Sequence, residues 1–264
     1  MSNLHFVNKY IISGEIKTIS GLHIGGTNDG FSIGSIDAAV IKHPLTGAPY
    51  IPGSSLKGKM RSLTELRLGT LGTKSYSKQI QNGPTINPEH LAARLFGNIS
   101  EENSRDRRND ATPKKKSQIP SRIIVRDAHL IQEKEENAEV TVDYSIPEVK
   151  TEVLIDRITS KAMPRSMERV PAGATFGLEM VLNVFKGEEH YAGNYLEDVL
   201  KSLLLVQDDY LGGKGSRGSG QISFILKKIV KKDMSYYEDP SEEPKNVASD
   251  YKIKYSLLFS EQWK

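Results

Sequence analysis

The sequence predicts an α+β domain of the ferredoxin-like order β-α-β-β-α-β. Three observations carry this. Phe176, Leu178, Met180, Leu182 and Val184 alternate with Gly177, Glu179, Val181 and Asn183, the period of a strand with one buried face. Two other segments repeat at helical spacing: Leu56, Met60 and Leu63, then Leu196, Val199, Leu200, Leu203 and Leu204. Around them, Lys9 to Ile19, Ser121 to Ile131 and Gln221 to Val230 read as strands, which completes the order.

The first strand, Lys9 to Ile19, runs into turn-rich sequence holding Gly21, Gly25, Gly26, Gly30 and Gly34. The first helix is expected over Ser55 to Leu68, entered from Pro52 and Gly53, with Ser54 or Ser55 as its N-cap. A second, short helix is expected with Asn87 as cap, Pro88 in first position and Gly97 as stop. Residues 98–118 are polar, basic and aperiodic, and are expected to be a mobile loop. Ser121 to Ile131 follows as one strand, and Asn194 caps the long helix. The insertions at about 20–50, 70–118 and 132–173 are long for a compact domain, and such insertions usually carry function. Residues 1–232 are thus read as one domain with an arm at about 147–173, and 233–264 as an acidic linker and tail.

Composition narrows the chemistry. With 264 residues, 37% of them hydrophobic and 26% charged, the chain suits a folded domain. It has no cysteine, which excludes disulfides, thiolate zinc sites, iron–sulfur clusters and a cysteine nucleophile, and fits a reducing, cytoplasmic setting. No run approaches the roughly 18 apolar residues of a membrane helix, and no signal-peptide pattern opens the chain, so no membrane partner is expected. Net charge is +3, but unevenly spread. Residues 105–116 carry six basic and two acidic side chains. Residues 210–232 carry six basic and none acidic, and 233–250 carry six acidic and one basic. A basic stretch of this kind suggests a surface for a polyanion.

Five motifs hold candidate site residues. GGKGSRGSG (212–220) contains G-x-G-x-x-G at Gly213, Gly215 and Gly218, but it follows a helix and precedes a strand, the reverse of a dinucleotide fingerprint. With Lys214 and Arg217 it reads as a loop that cradles phosphate. GLHIGG (21–26) holds His23, either a base or ligand or a structural histidine. IPGSSLKGKMR (51–61) places Lys57 and Arg61 at i, i+4 near a helix start with two serines, a combination that suits phosphate. Asp37 is a lone acid in an apolar run, either functional or a turn cap. The stretch 151–173 alternates charged and apolar residues, carries Arg157, Lys161, Arg165 and Arg169, is broken by Pro164, and reads as an extended arm.

Taken in order, GLHIGG (21–26), IGSIDAAVI (33–41), PLTGAPYIPGSSLKGKMRS (44–62), LFGN (95–98), SRIIVRDA (121–128), TEVLIDRITSKAMPRSMERVPAG (151–173) and DYLGGKGSRGSGQI (209–222) resemble the RAMP superfamily of CRISPR effector proteins. The closer resemblance is to the repeated backbone subunit of type III-A (Csm) interference complexes, over about residues 10 to 230. The 70–86 and 98–118 insertions and the tail lie outside it.

The resemblance implies a palm of modified ferredoxin-like fold with a thumb hairpin over 147–170. It implies copies stacked as a filament along a CRISPR guide RNA, beside other subunits of a type III effector complex. Target RNA pairs with the guide and is cut at regular intervals, with Asp37 as the catalytic acid and Mg²⁺ or another divalent cation such as Mn²⁺ as cofactor. The implied metal residue is Asp37. Implied RNA contacts are Ser54, Ser55, Lys57, Lys59 and Arg61 on the helix, and Gly212, Gly213, Lys214, Gly215, Ser216, Arg217 and Gly218 on the loop. His23, Arg126, Arg157, Arg165 and Arg169 complete the set. Such a protein reads backbone and shape, while pairing supplies sequence. Two rivals within the family remain: a scaffold that binds without cutting, and a guide-processing endoribonuclease relying on His23. A general RNA-binding module is disfavoured by the lack of an aromatic-rich K/R-G-F-G-F motif.

Overall fold

The computed structural model describes residues 5–26, 38–71, 83–85, 87–98, 119–131, 143–239 and 241–260. Its centre is a five-stranded sheet in the order β3-β7-β1-β8-β9, where β1 is Phe6–Thr18, β3 Ile123–Val125, β7 Thr175–Phe185, β8 Ile222–Asp233 and β9 Lys245–Asn246. Every pairing is antiparallel. Apart from β9, these are the four strands expected from the sequence, interleaved as a ferredoxin-like sheet interleaves them.

The central strand shows how the pattern becomes a layer. Tyr10, Ile12 and Ile16 of β1 and Phe176, Leu178, Met180, Leu182 and Val184 of β7 are all buried on one face. Two helices cover that face: α1 (Gly53–Leu68) through Leu56 and Met60, and α3 (Ala192–Asp208) through Leu196, Val199, Leu200 and Leu203. A fully buried side chain of this size contributes roughly 1.5–3 kcal/mol, so this layer dominates the stability.

Three boundaries differ from the expectation. The segment 121–131 is not one strand: β3 stops at Val125, and β4 (Ala128–His129) pairs instead with β2 (Tyr50–Ile51). The break lies at Arg126 and Asp127, because Asp127 Oδ1 accepts the Gly53 N–H at 2.7 Å. That bond also explains the second difference. Helix α1 begins at Gly53 with Pro52 in the cap position, and neither Ser54 nor Ser55 caps it. A carboxylate distant in sequence satisfies the first free N–H instead, where the helix dipole favours negative charge. Third, α2 (Leu91–Phe96) begins later than Pro88, because Asn87 spends its Oδ1 on the Glu89 N–H in a turn.

The acidic segment read as linker and tail folds back on the domain. It forms α4 (Met234–Glu238), β9 and α5 (Ser249–Lys252), and Ala248, Tyr255 and Leu258 enter the core. The expected arm is a hairpin of β5 (Glu148–Ile155) and β6 (Ala162–Arg169), with Glu148 opposite Arg169 and Ile155 opposite Ala162. Its far end is solvent-exposed, Ile158 at 95%, whereas Met167 near its root is 4% exposed. Deleting residues 158–166 removes no buried side chain. The melting temperature of the deletion variant should stay within about 4 °C of the parent, the shift that roughly 1 kcal/mol makes in a domain of this size. A collapse of the thermal transition would show that the hairpin is core. Among the described residues no helix is long and apolar enough to cross a membrane.

Candidate nucleic-acid interface

Three loops meet at the root of the hairpin. Glu168 of β6 is the hub. Its backbone oxygen takes the His23 Nδ1 at 2.8 Å. Its Oε2 accepts the Val40 N–H at 3.0 Å and lies 3.5 Å from Lys42 Nζ. Its own N–H donates to Ala38 O at 2.9 Å. Gly26 N donates to Ala39 O at 3.1 Å, and Ile41 N to Ile24 O at 2.9 Å, so segments 24–26 and 38–41 lie side by side. Asp37, the residue before Ala38, lies outside the described residues, as does the basic run 105–116.

The glycine loop closes the same corner from the other side. Gly213 N donates to His23 O at 2.8 Å, and Gly220 N to Gly21 O at 3.0 Å. Its glycines are needed first by the chain itself. Gly212 has φ +77°, and a Cβ there would lie 2.2 Å from His23 O. A Cβ on Gly215 would strike the Tyr210 ring, so bulk at 215 disturbs the loop before it meets any ligand. The exposed residues are Gly212, Lys214, Ser216, Arg217 and Gly218. Arg217 Nη1 reaches Glu152 Oε2 of the hairpin at 2.5 Å, and Lys150 Nζ donates to Arg217 O at 3.3 Å.

The expected cations divide into two groups. Several are committed inside the fold. Arg61 bonds Glu65 Oε1 at 2.8 Å, Gly97 O at 2.9 Å and Thr85 O at 2.8 Å. Lys59 pairs with Asp209 at 2.8 Å and sits 3.6 Å from the Tyr210 ring centre. Arg169 holds Glu148 at 2.5 Å and Ser219 Oγ at 3.3 Å. Arg126 is paired with Glu179 at 2.5 Å, but on the surface, its side chain 59% exposed, whereas Lys57 donates inward to Ser121 Oγ at 2.8 Å. Burial, reinforced by the charge of Arg61, pushes the Lys57 ammonium below its ordinary range. Lys57 and Lys59 also leave α1 on different sides, toward Ser121 and Asp209. By contrast, Arg157, Arg165 and Lys214 are exposed and make no ion pair among the described residues. His23 is 7% exposed and serves as a stitch between hairpin root and glycine loop, not as an accessible base.

Sequence reasoning missed Asp127, Lys150, Glu152 and Glu168. Asp127, Glu152 and Glu168 stand within quoted motifs and Lys150 just before one, but nothing in those motifs names their partners. Asp127 gains its partner from the start of α1, Glu168 from the fold-back of 38–42, and Lys150 and Glu152 from the glycine loop.

This arrangement, a ferredoxin-like palm with a hairpin rooted among glycine loops, matches a known class. The family model for the RAMP superfamily matches residues 15–223, and the chain belongs to that superfamily. Across most of its length it is similar to proteins named CRISPR system Cms endoribonuclease Csm3. Identity is 39% to the protein from Methanothermobacter thermautotrophicus, over 91% of this chain and 93% of that one. It is 38% to that from Streptococcus thermophilus, over 82% and 87%. Among solved structures, the chain is similar to one in a Csm3–Csm4 subcomplex of the type III-A CRISPR-Cas interference complex. There the TM-score is 0.53 at 26% identity, covering 97% of this chain and 99% of that one. The Methanopyrus kandleri Csm3 crystal structure shares the fold at TM-score 0.53 and 22% identity, over 90% and 81%.

Proposed function

We propose that the protein is the repeated, guide-RNA-binding backbone subunit of a type III CRISPR effector complex, and that it cleaves guide-complementary target RNA. The observation that carries this is the corner where the 38–42 segment, the hairpin root and the glycine loop converge. The exposed Lys214, Ser216 and Arg217 offer two charges and a hydroxyl to a phosphate chain, without any means of reading bases. The hairpin projects from the same corner, where it would interrupt a guide–target duplex and unstack a nucleotide. Asp37, one residue before the pinned Ala38, is the acid we assign to cleavage.

Unstacking lets the ribose 2′-OH swing in line with its own phosphorus, which supplies the nucleophile from the substrate. The 2′-oxygen bonds to phosphorus as the bond to the 5′-oxygen breaks. The 2′ proton leaves to a base, and the departing 5′-oxygen takes up a proton. A divalent cation, Mg²⁺ or Mn²⁺, would stabilise charge on the phosphate when bound. Among the described residues no three His, Asp or Glu side chains could hold such an ion. Asp37 is the protein ligand we assign to it.

The test uses the complex purified from cells expressing this protein with its genomic neighbours. Incubated with guide-complementary RNA and Mg²⁺, it should cut at regular intervals, leaving 5′-hydroxyl and 2′,3′-cyclic phosphate ends. A 2′-deoxy substitution at one cut position should block that cut alone. Normal cutting of the deoxy substrate would exclude the 2′-OH mechanism, and cutting undiminished by a chelator would exclude the cation.

A further inference from the structure

Three cations crowd one carboxylate at the edge of the glycine loop. Glu152 of β5 has Arg217 Nη1 at 2.5 Å and Lys150 Nζ at 3.3 Å, and its side chain is 17% exposed against 55% for Arg217. Lys150 also donates to the Arg217 carbonyl at 3.3 Å, so it stands between β5 and the loop. Lys214, with φ +62°, precedes the single turn Gly215–Arg217 that presents Arg217. Across the hairpin, Arg165 stands opposite Glu152 in the ladder. Burial opposes the charge on Glu152, yet the Lys150 contact and the charges of Arg217, Lys150 and Lys214 hold its carboxyl below the usual carboxylate range.

We infer that Lys150, Lys214 and Arg217 form a single phosphate subsite, and that in the RNA-free protein the Glu152 carboxylate fills it. This rests on the glycine loop being a guide-backbone contact. A carboxylate and a phosphate offer a guanidinium the same paired oxygens, so one can stand in for the other. The exchange is feasible because Arg217 is half exposed, and a pair of that kind is weak. A phosphate that takes Arg217 and Lys150 also breaks the contact tying β5 to the loop. Loading RNA therefore frees the β5 side of the hairpin from the glycine loop, while Arg169, bonded to Ser219, keeps the root attached, and Glu152 is a positioning residue that sets the hairpin until the RNA arrives.

The experiment uses the whole 264-residue chain and a fluorescent uridine 20-mer as probe. The chain has no cysteine, so Ile158→Cys and Ile253→Cys, at positions 95% and 93% exposed, take two spin labels without background. Glu152→Gln should bind the 20-mer roughly twofold to fivefold more tightly at low salt, the size of one exposed ion pair. Its label distances without RNA should match those of the parent with RNA. An unchanged affinity, or an unchanged distance distribution, overturns the inference. Lys214→Ala with Arg217→Ala separates it from its foundation. If that pair weakens binding while Glu152→Gln does nothing, only the subsite assignment fails. If that pair binds RNA at parental strength, the reading of the glycine loop fails as well.

Discussion

Asp37→Ala should lower target cleavage by about 10²–10⁴-fold, the range a single positioned acid or base contributes. Binding of guide and target should be unchanged. The residues we assign to RNA backbone contact, Lys214 and Arg217 among them, belong to another loop, and Ala38 and Val40 are fixed by main-chain and Glu168 bonds that do not use the Asp37 side chain. Stability should stay level or rise slightly, as is common when a functional carboxylate is removed. The assay compares single-turnover cleavage rates and gel-shift affinities of reconstituted complexes. Cleavage at the parental rate would remove Asp37 from the mechanism. A parallel loss of binding would make it a structural residue of the corner. Asp37→Asn is the sharper variant, because it keeps the shape and removes the charge.

Periodicity alone made the central layer legible. The alternation in 176–184 and the stripes of α1 and α3 each pack one face, so each local pattern reports its own burial. What failed was decided by partners far away in the chain. The start of α1 looks serine-capped until Asp127 arrives from 74 residues away, and the same bond interrupts an otherwise continuous strand at Val125. The fifth strand, β9, is two residues long and exposed, with no apolar signal to show it. The corner is a stronger case. The resemblance picked out GLHIGG, the hairpin and the glycine loop as separate motifs, but their meeting around His23 and Glu168 depends on register. Positive charge in the sequence also overstated the free cations, since Arg61, Lys59, Arg126 and Arg169 each have an acid at 2.5–2.8 Å.

Arg61 shows what that difference means for experiment. On the sequence it pairs with Lys57 as a phosphate clamp, and a double alanine variant would be read as an RNA-binding test. In the fold its guanidinium reaches Glu65, Gly97 and Thr85, and so ties α1 to the loops on either side of α2. Glu65 is 1% exposed and faces the core side of α1. Removing the guanidinium leaves that carboxylate buried with only the Thr85 N–H, 3.2 Å away, as a described partner. Breaking a buried pair from one side costs about 3–5 kcal/mol, a large share of the 5–15 kcal/mol that holds a typical domain folded. Arg61→Ala should accordingly lower the urea midpoint strongly. Lys57→Ala, which loses one bond to the Ser121 hydroxyl, should cost about 1 kcal/mol. Adding Glu65→Leu to Arg61→Ala should recover part of the loss, because the unpaired charge goes with it. If Arg61→Ala unfolds at the parental midpoint while losing RNA affinity, Arg61 belongs to the interface after all. If the midpoint falls and the double variant recovers it, the residue holds the palm together.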